Sequence, residues 1–151
     1  MRAYLLRHGD AVAQNENPER PLSSTGRRDV EKTARLALQH NVEISAIYHS
    51  GILRALETAE ILGKFLLPPL GLQEHGSLLP EKDPSIASAE LDIIEHPVAL
   101  VGHLPHLRRL AAMLATGDPE RTVIDFLPAM MVCFEKQADR WKIAWTSAGS
   151  I

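Results

Sequence analysis

Apolar positions along this chain switch repeatedly between short blocks and helical spacing. "RAYLLR" at the N-terminus is a brief apolar run followed closely by Gly9, which predicts a buried strand rather than a helix. The polar stretch "AVAQNENPERP" then reads as a loop. From Ser24, "STGRRDVEKTARLALQHN" places Val30, Ala34, Ala37 and Leu38 three and four apart, the mark of an amphipathic helix with Ser24 or Thr25 as N-cap and Asn41 near its end. "ISAIYHS", rich in β-branched and aromatic residues, runs directly into "GILRALETAEILGKFL", where Leu53, Leu56, Ile61 and Leu62 recur at helical intervals. That is a strand, a tight turn and a helix.

Prolines and glycines break "LPPLGLQEHGSLLPEKDP" into a short strand and a loop, and "SIASAELDIIEH" predicts a helix capped by Ser85 after Pro84. "PVALVGHLPHLRRLAAMLA" repeats the earlier grammar: an apolar strand ends in Gly102-His103, and a helix begins near Pro105. "TVIDFLPAMMVCFEKQADRWKIAWTSAG" reads as two strands joined by a polar "KQAD" turn, with Trp141 and Trp145 four apart and so on one face, packing the sheet. Strands alternating with helices of this length imply an α/β fold, a three-layer sandwich whose mostly parallel central sheet is flanked by helices and closed by an antiparallel edge. No linker or repeat divides the chain, so residues 1–151 are expected to form one domain.

Composition narrows the partners. Sixteen basic and nineteen acidic residues are interspersed, for a formal charge of −3, which leaves no basic footprint for nucleic acid or an anionic membrane. The only cysteine, Cys133 in "AMMVCF", excludes a disulfide framework and a four-cysteine zinc site and predicts a buried, inert thiol. The apolar stretch before Arg7 is too short for a signal peptide, and no later run approaches a membrane span. A soluble, cytoplasmic protein is expected; the sequence leaves the oligomeric state open, and a monomer is compatible with it.

The chemistry lies at the predicted strand ends. Arg7 and His8 follow the first strand, Arg54 lies one helical turn beyond "YHS", and His103 follows "VALVG". In open α/β sheets, ligands bind outside the carboxyl ends of the strands, so two arginines and two histidines are expected in one cleft. Two guanidinium forks suit a tetrahedral dianion, and helix N-termini at Gly51 and Leu104 would add N–H groups. Phosphate is the natural ligand. The chain has no P-loop sequence and no carboxylate cluster, and "HLPH" (His103, His106) lacks companion ligands, so neither a metal nor another cofactor is expected.

A neutral imidazole can attack phosphorus in line, while a second, protonated one would stabilise charge on the transferring group. Position alone leaves open which histidine does which, although Gly9 directly after His8 would let the backbone approach closely and expose that ring. An alkoxide leaving group would need a proton, and Glu81 in "LLPEKDP" is the best-placed acid, ahead of Asp10 and Asp83.

These residues resemble a known family. "LLRHGDA", "SGILRALETAEIL" and "LVGHLPHLRRLAAML" are similar to the three signatures of the histidine phosphatase (phosphoglycerate mutase-like) superfamily, and the short length and "RPLSSTGRRDVEKTARLAL" resemble its SixA group of phosphohistidine phosphatases. The resemblance implies His8 as the phosphorylated nucleophile, with Arg7, Arg54 and His103 binding the phosphoryl group. It also implies an open cleft for phosphorylated histidine on a protein partner. In the second motif Gly51 stands where proline is usual, which should loosen the turn. Two rivals are carried forward: a phosphatase or phosphomutase for small phosphoesters, and a non-catalytic phospho-binding module.

Overall fold

In a computed structural model, which describes residues 1–147, six strands form one mixed sheet. They are β1 (Arg2–Arg7), β2 (Ala46–His49), β3 (Leu72–Glu74), β4 (Val98–Gly102), β5 (Met131–Gln137) and β6 (Arg140–Thr146), in the order β3-β2-β4-β1-β5-β6. The first four are mutually parallel, while β5 runs antiparallel to β1 and β6 antiparallel to β5. The expected α/β sandwich with an antiparallel edge is what forms.

Central position explains the unbroken apolar runs. Strand β4 is buried along its whole length and β1 from Ala3 to Leu6, because helices cover both sheet faces. Side chains alternate between those faces. Ala3, Leu5, Val98 and Leu100 pack with α3 (Pro84–Ile93) and α4 (His106–Thr116). Tyr4, Leu6, Ala99 and Val101 pack with α1 (Ser24–Gln39) and α2 (Leu53–Leu66). A fully buried side chain such as Leu107 or Leu110 contributes about 1.5–3 kcal/mol through removal of its surface from water.

Helix ends sit slightly away from the expected places. Ser23, not Ser24 or Thr25, caps α1, its hydroxyl accepting from the Gly26 N–H. Asp83, not Ser85, caps α3: its carboxylate accepts from the Ser85 N–H, leaving Pro84 at the first helical position, where no N–H is required. On α1, Leu38 turns out to solvent at 47% exposure, and Thr33 takes its place on the buried face.

Two larger corrections concern the C-terminal third. "TVIDFLPAM" is not a strand: regular pairing begins only at Met131, and the preceding loop buries Phe126, Ala129 and Met130 instead. Trp141 and Trp145 do not share a face. The pairs Cys133↔Trp145 and Phe134↔Ile143 leave Ala144 as an extra residue, so a β-bulge reverses the alternation between them. Trp141 therefore packs on the α3–α4 side and Trp145 against Tyr4 on the other. The strands turn at Ala138 and Asp139, both in the left-handed region, and the expected strand's last residues, Ala148 and Gly149, lie outside the described residues.

The loop after β1 is pressed onto α1. A Cβ on Gly9 would lie 2.8 Å from Val30 and 2.9 Å from the Gly26 carbonyl, and one on Gly26 would collide with the Asp10 backbone. Two facing glycines thus let the chain after His8 run against the first turn of α1.

Candidate active site

Strand order brings the expected residues together. Strands β2, β4 and β1 are neighbours, and their carboxyl ends carry Ser50, His103 and Arg7-His8 side by side. The His8 and His103 rings lie 5.0 Å apart between centroids, tilted by 54°. Arg54 enters from the first turn of α2, and its charge, like that of Arg7, acts on both imidazoles.

His8 has a defined tautomer. Its Nδ1 is 2.7 Å from the Gly9 carbonyl oxygen, which can only accept, so Nδ1 carries the proton and Nε2 the lone pair. Burial pushes the ring's pKa from 6.5 down to about 4, with Arg54, Arg7 and Arg20 adding repulsion and the Gly9 bond opposing it. The ring is therefore neutral near pH 7. His103, 2% exposed, is pushed lower, to about 3, by burial and by the neighbouring His8, Arg54, His106 and Arg7. Its Nε2 lies 2.6 Å from the Ser50 hydroxyl, which also accepts from the Ile52 N–H at 3.2 Å. Ser50 thereby fixes the ring.

Both arginines keep donors without protein partners. Arg7 uses one terminal nitrogen on the Phe126 carbonyl at 2.8 Å, tying down the loop before β5, while its buried Nε has no partner. The buried Nε of Arg54 is also unpartnered, and neither guanidinium meets a carboxylate in the five ion pairs among the described residues. Burial lowers the pKa of each, most simply relieved by an anion.

Thr58, fully buried, joins the two sides: its hydroxyl accepts from the Gly9 N–H at 3.1 Å and donates to the Arg54 carbonyl at 2.8 Å. Sequence reasoning missed Thr58 and Ser50; a threonine four residues after Arg54 on a helix was the available signal.

Gly51 proves to be needed rather than tolerated. Its φ is +89°, its N–H donates to His49 Nδ1 at 3.1 Å, and a Cβ there would lie 2.6 Å from the Glu74 carboxyl. The turn is thus tied rather than loose, and the His49 side chain that ties it is buried. Proline could satisfy neither φ nor the hydrogen bond. Gly51→Pro, although it restores the usual residue, is expected to lower stability by about 1–3 kcal/mol. Thermal unfolding of the variant checks this, and an unchanged or raised Tm would contradict it.

Other candidates fall elsewhere. Glu81 is exposed in the turn before α3, and no hydrogen bond or ion pair joins it to the four basic residues. Asp10 accepts from the Ser23 hydroxyl at 2.7 Å, and Asp83 is the α3 cap. Among the described residues, no group of three or more His, Cys, Asp or Glu side chains could hold a metal ion, and no helix is long and apolar enough to cross a membrane.

The cleft thus holds a neutral histidine with a free Nε2 beside a second histidine and unpaired guanidinium groups, at the strand ends of an α/β sheet. The histidine phosphatase superfamily (branch 1) model matches residues 3–75. Phosphohistidine phosphatase SixA of Escherichia coli strain K12 is 30% identical over 123 residues, covering 78% of this chain and 76% of that protein. The structure of the protein histidine phosphatase SixA complexed with tungstate is similar with a TM-score of 0.84 at 26% identity, covering 97% of this chain and 96% of that one. A phosphoserine phosphatase of Entamoeba histolytica shares the fold, with a TM-score of 0.74 at 11% identity over 97% and 96% of the two chains. The chain belongs to the histidine phosphatase superfamily, and it is a SixA-like phosphatase enzyme.

Proposed function

We propose that this enzyme is a phosphohistidine phosphatase that removes the phosphoryl group from a phosphorylated histidine of a partner protein. The observation that carries the reading is the His8 Nδ1–Gly9 bond, which leaves Nε2 as an unprotonated nucleophile among unpaired guanidinium groups. The likeness to a SixA structure complexed with tungstate, a tetrahedral oxyanion, supports it.

Nε2 of His8 attacks phosphorus in line, and the substrate's P–N bond breaks, its electron pair leaving on the substrate imidazole. Arg7 and Arg54 hold the equatorial oxygens throughout. His103 is neutral in the free site; a bound dianion favours its protonated form, which then donates to the same oxygens. Water next attacks the His8 phosphoryl group. The Nε2–P bond breaks, the proton lost by water stays with the released phosphate, and His8 returns to its Nδ1–H form.

A substrate imidazole whose other nitrogen carries the proton leaves neutral, so this reaction does not depend on an acid. A phosphoester would leave as alkoxide, and for that substrate Glu81 is the proposed proton donor. The test compares hydrolysis of a phosphohistidine protein, phosphoserine and a sugar phosphate. Phosphohistidine should have the highest kcat/KM, and Glu81→Gln should slow the esters more than the phosphoramidate. Faster turnover of an ester would make the enzyme a small-molecule phosphatase, transfer to a second hydroxyl a mutase, and binding without a burst of phosphate release a phospho-binding module.

A further inference from the structure

The turn that carries Arg54 into the cleft lacks the usual supports. No proline fixes φ at its second residue, which is Gly51, and Ile52, at the N-cap of α2, makes no side-chain capping bond. Glycine can leave its φ of +89° at little steric cost, and Arg54 follows only three residues later. Other contacts must hold the chain between β2 and α2.

Two side chains do so in succession, each bonding the N–H two residues ahead of it. The Ile52 N–H donates to Ser50 Oγ at 3.2 Å, and the Gly51 N–H donates to His49 Nδ1 at 3.1 Å. His49 is well anchored for this. It is the last residue of β2, paired with Val101 of β4 and Glu74 of β3, and its carbonyl accepts from the His75 N–H at 2.8 Å. A backbone N–H can donate only to a lone pair, so Nδ1 is unprotonated and the proton sits on Nε2, the tautomer opposite to that of His8. Burial lowers the ring's pKa, Glu74 and Glu60 oppose it and His75 adds to it, so the neutral, accepting form prevails near pH 7.

We propose that His49 is a positioning residue for the phosphoryl-binding turn: by holding the Gly51 N–H, its imidazole supplies the rigidity that a proline ring would otherwise give, and so fixes Ser50 and Arg54. Ser50 in turn sets the His103 ring, so this one contact serves both sides of the cleft. His49 and Gly51 form a matched pair. The glycine keeps the N–H that proline lacks, and the histidine removes the freedom that glycine brings. The inference deepens the phosphatase reading and rests on it for the chemistry performed in the cleft, but oxyanion binding can be measured apart from turnover.

The full chain would be compared as wild type, His49→Phe and His49→Asn by titration calorimetry with inorganic phosphate, by amide hydrogen exchange at Gly51 and by thermal unfolding. Phenylalanine keeps a buried ring and loses the acceptor, whereas asparagine leaves a void but can accept through Oδ1 from the N–H two residues on. His49→Phe should bind phosphate about 3- to 10-fold more weakly, the net worth of one hydrogen bond, and lose protection at Gly51. His49→Asn should stay within about 2-fold of wild type in affinity even where its Tm is the lower of the two. A merely structural role predicts instead that affinity follows Tm across the three proteins, and that result overturns the proposal. Wild-type affinity in His49→Phe also overturns it, as does weakened affinity in both variants with Gly51 still protected. Should His49→Phe not fold, His49→Leu, equally without an acceptor, takes its place with the same expected losses. Failure of the wild type to hydrolyse phosphohistidine, with phosphate affinity still dependent on an acceptor at position 49, would refute the substrate and leave this assignment standing.

Discussion

His8→Ala is expected to reduce phosphohistidine hydrolysis by at least about 10³-fold while leaving oxyanion binding largely in place. The size follows from the proposed covalent route: without Nε2 there is no nucleophile to split the reaction into two steps, and water would have to attack the substrate directly. Binding persists because Arg7 and Arg54 reach the cleft from β1 and α2, independently of the imidazole. Incubation of the wild type with a labelled phosphodonor should trap an acid-labile, base-stable adduct that His8→Ala lacks. Turnover above about a tenth of wild type in the variant, or survival of the label, would remove His8 from the nucleophile's role. The same geometry sets the pH profile. With the His8 pKa near 4, kcat/KM should show no acid limb around 6.5 and should fall only as pH approaches about 4.

Acid should also destabilise the fold in a window set by four histidines that burial holds neutral, His8, His49, His103 and His106. His8 and His106 are lowered to about 4 and His103 to about 3, each chiefly by burial; Arg109 depresses His106 further and Asp83 opposes it. Below pH 6.5 the unfolded chain takes up protons that the folded protein refuses, so stability falls as pH drops. The sign is that of a depressed histidine pKa: its contribution is complete above about 6.5 and is lost progressively down to the folded value. Each ring can contribute up to about 1.4 kcal/mol per pH unit in that range. Urea unfolding midpoints between pH 7 and 4.5 measure the slope. His106 separates this effect from catalysis, because it is fully buried and both its nitrogens lack partners. His106→Leu should reduce the slope by about a quarter, since one ring of four is removed, without costing a hydrogen bond. An identical slope in that variant would contradict the account.

Much of the fold was legible because burial on both faces leaves an unmistakable pattern. "VALVG" is apolar throughout since β4 lies mid-sheet, and α4 shows its buried face in Leu107, Leu110, Ala111 and Leu114. The misreadings arise where a local rule met a longer-range contact. "TVIDFLPAM" carries β-like residues, yet they line a loop that Arg7 holds through the Phe126 carbonyl. The two tryptophans keep strand spacing, yet one bulged residue sends them to opposite faces. Gly51 looked like a costly replacement because its φ and the Glu74 side chain above it are not written in "SGILR".

The sequence by itself determined the alternation of strands and helices and the placing of Arg7, His8, Arg54 and His103 at their junctions, because hydrophobic periodicity and turn residues are local properties. Only the tertiary structure decided that β2, β4 and β1 are neighbours, that the Gly9 carbonyl selects the His8 tautomer, that burial keeps the rings neutral, and that the His49 ring holds the turn before α2. Strand order, desolvation and hydrogen bonds between distant segments depend on which surfaces meet, and no window of sequence contains that.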